Sequence, residues 1–493
     1  MKYFMEYIGA ENEYWPLLFD RYDLKRNVRT LPINGLNESA AHLVLFAPKS
    51  LMSYETNVFT VWLKNGGKIY NDLDNTEYST AECKTVAELV LLEKAGEIIV
   101  PEIFPRYKDD NESNFFILKR TTDRMLKSSA GSHENYAIEE KLFKRLTLYD
   151  EKKKERTDEQ NIMLSHLVSR IIYTGAGHIQ TDKNYTKIKF ILSPRASFTH
   201  KLFSGDSRAF RPLIHQKNQV LVQPSLSFLS RLHLICGDLN RSDWSLYLKY
   251  GTTALILDFL EIAPKEDVRK LAEKIFLELP LDLLRTLSVS ISDSENFFKV
   301  QFEKAQKIQS EIIKYVLKFR DELKAKNREL EQIIDLWQKA IAPTPEMDDR
   351  LDWRIKKKLI EFKTGEKISY LSSLRDKNTM KIISKLDLSY HRIDAKDLYK
   401  KLVDSGFAKS LYPISKISEK LTKPPKGRAE KRTRLVEYSL KSGLAGNIIL
   451  DWSEMHLQKT KVSLPTIVYF DEEDENLLKR IIDRFLMFLP KNT

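Results

Sequence analysis

From Met1 to about Glu261 the apolar residues come in short alternating runs separated by Gly, Asn and Asp. That two-residue period marks strands with one buried face. The clearest case is Phe59-Thr-Val-Trp-Leu-Lys64, then Asn65-Gly66-Gly67, then Lys68-Ile-Tyr-Asn-Asp72, which predicts a hairpin. Lys187–Leu192 and Leu232–Cys236 read as further strands, while Glu139–Thr174 reads as mostly helical. Helices intermixed with hairpins predict an α+β fold rather than a doubly wound parallel sheet.

Further on, the pattern changes to a helical period. Phe298, Phe302, Ala305, Ile308, Ile312, Val316, Phe319 and Leu323 are spaced three or four apart and stripe one face of a long helix. Ser292-Asp-Ser-Glu295 is placed to open that helix as a capping box. The stripe reads as core packing and carries no chemistry. Pro343 and Pro345 break the chain, and Pro424-Pro425 punctuates it again. A boundary near 410–425 is expected, giving a large domain over 1–415 and a small C-terminal one over 416–493.

Composition narrows the class. With 493 residues, 42% of them hydrophobic and 30% charged, the chain can bury a sizeable core. Its most apolar stretch, Thr252–Ala263, is short and carries Asp258 and Glu261, so no membrane span is expected. Glu6 interrupts the apolar N-terminus and no small-residue cleavage site follows, so no signal peptide is expected either. Two cysteines, Cys83 and Cys236, make no disulfide framework and point to a reducing cytoplasm. The net charge of +12 is uneven, with basic clusters at Lys152–Arg156, Arg354–Lys358 and Lys423–Arg434. No nucleic-acid motif or interleaved aromatics accompany them, so the first two read as solvated faces and no nucleic-acid partner is expected. The third suits an anionic ligand, because Arg428 and Arg432 stand one helical turn apart.

Candidate chemistry gathers on the strands. Glu11 and Glu13 are two apart in an expected strand and share a face. Two carboxylates aimed together repel as structure but suit Mg2+, which takes hard oxygen ligands. In the hairpin, Lys68, Tyr70 and Asp72 again share one face, offering a phosphate contact, a metal or water contact and a base. Glu77, Thr80 and Glu82 follow directly. His133-Glu-Asn-Tyr136 comes after Ser128-Ser-Ala-Gly-Ser132, a small-residue loop able to close over a ligand, and Arg231-Leu-His233 alternates into a strand. There is no P-loop, dinucleotide glycine fingerprint, zinc spacing or nucleophile elbow.

Taken in order, these segments resemble the Pup ligase and depupylase family, relatives of glutamine synthetase. The points of likeness are Gly9-Ala-Glu-Asn-Glu-Tyr14, Asn65-Gly-Gly-Lys-Ile-Tyr-Asn-Asp72, Glu77-Tyr-Ser-Thr-Ala-Glu-Cys83 and Lys94-Ala-Gly-Glu97, followed by His133-Glu-Asn-Tyr136, Arg231-Leu-His233 and Asp451-Trp452. The resemblance spans nearly the whole chain. It implies a curved antiparallel sheet that cradles ATP, backed by helices, with a smaller C-terminal domain. On this likeness Asp72 matches the catalytic aspartate, and Glu11, Tyr70 and Glu77 match magnesium positions, with Glu13 and His233 beside them. Lys68, Thr80 and Trp452 match nucleotide contacts, while Arg231, Arg428 and Arg432 are expected near phosphate. His133, Glu134 and Asn135 are candidates for the substrate side.

The implied function is an ATP-dependent carboxylate–amine ligase using Mg2+. It would activate a carboxylate, such as the terminal glutamate of a small protein modifier, as an acyl phosphate and join it to an amine of a protein substrate. An amidase of the depupylase kind, an altered phosphotransferase and a non-catalytic scaffold are the alternatives. The interval from Glu13 to Asp72 is too short for the extra depupylase loop, which favours the ligase. The short interval from Asp72 to Glu77 is depupylase-like. Where the family has an Arg-Asp-Glu-Pro-His run, this chain reads His215-Gln-Lys-Asn-Gln-Val-Leu-Val-Gln-Pro224. That departure predicts that authentic Pup is not its substrate.

Overall fold

The computed structural model describes residues 7–19, 28–30, 52–55, 58–72, 75–103, 115–217, 229–292, 294–342, 344–441, 448–450, 454–457, 460–463 and 480. In it the alternating runs become strands: β1 (Ile8–Phe19), β2 (Val28–Thr30), β3 (Met52–Glu55), β4 (Val58–Trp62), β5 (Lys68–Asp72), β6 (Asn75–Ser79), β7 (Phe115–Leu118) and β8 (Ser132–Glu139). Two short pairs follow, β9 (His178–Thr181) with β10 (Ile188–Ile191), and β11 (Phe203–Ser204) with β12 (Ile214–His215). The long strand β13 (Leu229–Gly237) then returns to the main sheet, whose order is β13-β8-β1-β6-β5-β4-β3, antiparallel throughout. Strands β2 and β7 pair with the far end of β1. This is the expected α+β architecture.

One face of the sheet is apolar and helix-covered. Ile8 and Ala10 of β1, Tyr136 and Ile138 of β8, and Leu232 and Leu234 of β13 are buried in one cluster with residues of the helices Val86–Ile99, Asp158–Ser169, Asp243–Ile262 and Glu295–Lys318. Strand alternation therefore turns residues 9, 11 and 13, 133 and 135, and 231 and 233 to the opposite face. A second cluster of Tyr14, Leu63, Ile69, Tyr78, Leu91 and Ile417 lies under the hairpin end. The helix Val86–Ile99 is capped by Thr85, and the Glu329 carboxylate accepts its first amides, Val86 at 2.6 Å and Ala87 at 2.9 Å. The last three described strands, Ile448–Leu450, Glu454–Leu457 and Thr460–Ser463, form a small antiparallel sheet near the C-terminus.

Two expectations need correction. The long helix runs Glu295–Lys318 and is capped by Ser294, not opened by Ser292. The Ser292 hydroxyl donates instead to the Phe190 carbonyl at 3.2 Å, so it is tied to β10 and unavailable as a cap. The Arg354–Lys358 cluster is not a solvated face. Arg354 and Lys356 are buried, donating to the Thr344 carbonyl and to Gly177 and Asp387, while Lys358 is exposed.

Candidate active site

The register of three strands builds the site. On β1, Glu11 lies opposite Ser79 of β6 and His133 of β8, and Glu13 lies opposite Glu77 of β6. Glu77 in turn faces Tyr70 of β5, and Ser79 faces Lys68. On the other side, β13 brings His233 opposite Asn135 and Arg231 opposite Ala137. Carboxylates directly opposed across a strand pair repel, so Glu13 facing Glu77 is destabilising unless a cation sits with them.

His133 occupies the middle of this group. Its Nδ1 is 3.4 Å from Glu11 Oε2 and 4.0 Å from Glu77 Oε1, and its Nε2 is 3.8 Å from Glu13 Oε1. Gly131 makes room for the ring, because a Cβ there would lie 2.5 Å from His133 Nε2. Arg231 donates to Glu11 at 2.8 Å and to the Asn135 side chain at 2.6 Å. Burial alone would raise the Glu11 carboxyl, but Arg231 and then the His133 hydrogen bond outweigh it and hold it well below the usual carboxylate range. Burial and then the charge of Glu77 keep the Tyr70 phenol protonated, so Tyr70 donates to Glu77 while accepting from Ser79 at 3.2 Å.

This donor set fits a divalent cation. Glu11, His133 and His233 each offer a ligand atom, and these lie within 4.8 Å of one another. His233 is buried, and neither of its ring nitrogens has a hydrogen-bond partner, although Nε2 lies 3.7 Å from Glu11. Burial, and next Arg231, keep its imidazole neutral, the form that binds metal. Two neighbouring carboxylates, Glu13 and Glu77, add further oxygen ligands of the kind that Mg2+ prefers.

The other expected site residues fare differently. Lys68 lies over the rings of Trp62 and Tyr70, 5.7 Å and 4.9 Å from their centroids. Asp72 closes β5 opposite Asn75, in alternation with Lys68 and Tyr70, and its side chain lies outside the described residues. Trp452 also lies outside them. Thr80 is buried and its hydroxyl accepts the Ala10 amide at 3.0 Å, a stitch between β1 and the chain after β6. Arg428 and Arg432 both reach Glu82, at 3.1 Å and 2.6 Å. The Ser128–Ser132 segment is not an open loop over the site, since Arg195 holds the Ser129 hydroxyl and Ala130 carbonyl. Glu134 is a correction: it lies on the helix side, fully buried, bound by Arg170 and by the Tyr136 hydroxyl at 2.7 Å. Its neighbours His133 and Asn135 face the site, and a strand cannot present all three to one ligand.

A family model described as Pup-ligase protein matches residues 26–456. The chain belongs to the Pup-ligase family. A Pup--protein ligase of Pseudarthrobacter chlorophenolicus is 28% identical over 418 residues, covering 80% of this chain and 84% of that one. One from Rothia mucilaginosa is 26% identical over 474 residues, 89% of each. In fold, the chain is similar to the crystal structure of the complex between the prokaryotic ubiquitin-like protein Pup and its ligase PafA, with a TM-score of 0.72 at 22% identity over 99% of this chain and 96% of that one. It is also similar to PafA in complex with ADP, with a TM-score of 0.66 at 20% identity over 95% and 97%. The resemblance read from the motifs therefore holds for the family and the fold, and the two relatives are Pup--protein ligases.

This Pup-ligase family member also has site neighbours that its sequence did not reveal. His215, on β12, comes within 5.4 Å of His233 between ring centroids, and Trp62 lies under both Lys68 and Arg432. No spacing announces either contact. His215 arrives through the parallel β11–β12 pair, and Arg432 from more than three hundred residues downstream of Trp62.

Proposed function

We propose that the protein is a cytoplasmic, ATP- and Mg2+-dependent ligase that joins the terminal carboxylate of a Pup-like small protein modifier to an amine of a protein substrate. The observation that carries this reading is the convergence of Glu11, Glu13 and Glu77 around His133 on one sheet face, with His233 and Arg231 beside them. In this reading Glu11, Glu13 and Glu77, with His233, hold Mg2+, and Tyr70 steadies Glu77. Mg2+, when bound, supplies neutralisation of phosphate charge. Lys68 and Arg231 stand two strands to either side of β1, placed as cations for the oxygens of ATP. Thr80 and Trp452 keep the nucleotide roles that the resemblance implies, and residues 416–493 form the smaller domain.

The modifier's carboxylate oxygen attacks the γ-phosphorus and ADP leaves. The amine nitrogen then attacks the acyl carbon, phosphate departs, and Asp72 takes the amine proton. The expectation that Pup itself is refused is withdrawn. It rested largely on residues 218–224, which lie outside the described residues, and the relatives named above are Pup--protein ligases.

The test is intact-mass measurement after incubation with ATP, Mg2+, Pup and a lysine-bearing protein. The expected product weighs the sum of the two proteins less one water, and Asp72→Asn abolishes it while ATP still binds. Absence of both adduct and ADP release in the wild type sinks the ligase reading. Undiminished product formation by Asp72→Asn removes that residue as the base.

A further inference from the structure

The turn between β4 and β5 is built to receive the C-terminal part of the chain. It closes through Gly66 N to the Leu63 carbonyl at 3.0 Å, and Asn65 braces it by donating to the Tyr78 hydroxyl at 3.1 Å and accepting the Gly67 amide at 3.0 Å. Gly66 has φ of 80°, and a Cβ there would meet those of Ala429 and Ala81 at 3.2 Å and of Pro424 at 3.4 Å. Only glycine meets both demands. Directly above, Arg432 donates to both Glu82 oxygens, at 2.6 Å and 2.8 Å, and to the Gly66 carbonyl at 3.0 Å. Its guanidinium also stacks 4.9 Å from the Trp62 centroid, on the ring that Lys68 overlies. One buried side chain thus ties the turn, the end of β4 and the chain after β6.

We propose that Arg432 is a positioning residue for the hairpin that ends at Asp72, and that it acts through Glu82 and the Gly66 carbonyl rather than on phosphate. A guanidinium engaged by a bidentate carboxylate, a carbonyl and an indole has little to offer a ligand without abandoning the turn. Arg428, held by the same Glu82, supports it. The rate readout below rests on the ligase reading, whereas the exchange readout does not.

Lysine keeps the charge of Arg432 but cannot make the forked contact, and glutamine keeps the shape of Glu82 without its charge. Arg432→Lys and Glu82→Gln in the full chain are each expected to slow ATP-dependent ligation roughly tenfold or more, as small misplacements of catalytic groups do. The loss should fall on kcat more than on KM for ATP, and the double variant should lose little more than either single one. Amide hydrogen exchange over 58–72 should quicken in both, with the unfolding midpoint within a few degrees of wild type. A phosphate ligand predicts the opposite sign for Glu82→Gln, since freeing two guanidiniums would tighten ATP. Tighter ATP binding with an undiminished rate in Glu82→Gln therefore overturns the proposal, as does unchanged exchange in both variants. If the wild type shows no ligation, the ligase reading fails and exchange alone decides on Arg432.

Discussion

His133 and Glu134 are adjacent in the chain, yet strand alternation sends them to opposite faces of β8, one to the carboxylates and one to Arg170. Substituting them should separate binding from stability. Glu134→Ala leaves the buried Arg170 without its carboxylate, which should cost about 3–5 kcal/mol in urea unfolding. His133→Ala removes a ring from among the site carboxylates and not from the helix-covered core, so it should weaken Mg2+-dependent nucleotide binding in calorimetry and move the urea midpoint little. Comparable unfolding losses in both would show that the two faces are not separate. Glu261 gives a pH signature of a different origin. Burial raises its carboxyl to about 8, offset in part by the Glu139 amide, at 3.2 Å, and by the charge of Lys326. The folded value lies above the unfolded one, so the native state holds the extra proton. Its contribution is complete at low pH and is lost as pH rises through about 8. Glu261→Gln should flatten the fall in thermal midpoint between about pH 4.5 and about 8, and an unchanged slope counts against the raised value.

Gly96 sets two rules against each other at the level of an element. It lies inside the helix Val86–Ile99, where alanine is worth about 1 kcal/mol more than glycine. A Cβ there, however, would lie 2.5 Å from the Tyr78 ring. That ring is fixed at its hydroxyl, which accepts from Asn65 and donates to the Leu92 carbonyl at 3.1 Å. Overpacking against an immobile ring costs about 1–3 kcal/mol, so packing should win and Gly96→Ala should destabilise. A rise in thermal midpoint would mean that the helix yields. Hairpin, strands and long helix were legible because burial on one face imposes a period of two or of about four. The Ser292 cap was misread because a hydroxyl's choice between an amide in its own helix and the Phe190 carbonyl is settled by distant packing.

The whole molecule should register its ligands as a linked pair. Three carboxylates gathered on one face repel one another in the absence of a cation, and phosphate would compete with Glu11 for Arg231 in the absence of Mg2+. ATP with Mg2+ should therefore raise the thermal midpoint by more than the sum of the separate shifts. Saturation at 100 times Kd corresponds to about 2.7 kcal/mol. Chelation should abolish the ATP shift. An equal shift from ATP in chelator would place the nucleotide away from the carboxylate cluster.

By itself the sequence determined the strand and helix periods, and so the α+β class. Its ordered motifs identified the family, and same-face spacing placed Glu11 with Glu13 and Lys68 with Tyr70 and Asp72. These are properties of consecutive residues, set by backbone geometry. Only the tertiary structure decided that Glu13 faces Glu77, that His133 stands among three carboxylates while Glu134 serves the core, and that Arg428 and Arg432 bind Glu82. It also buried Arg354 and Lys356. Charge seen along a chain carries no sign of burial, because a cation enters the core only when partners from remote segments meet it there. Gly177, Asp387 and Glu82 are such partners, and the fold alone brings them within reach.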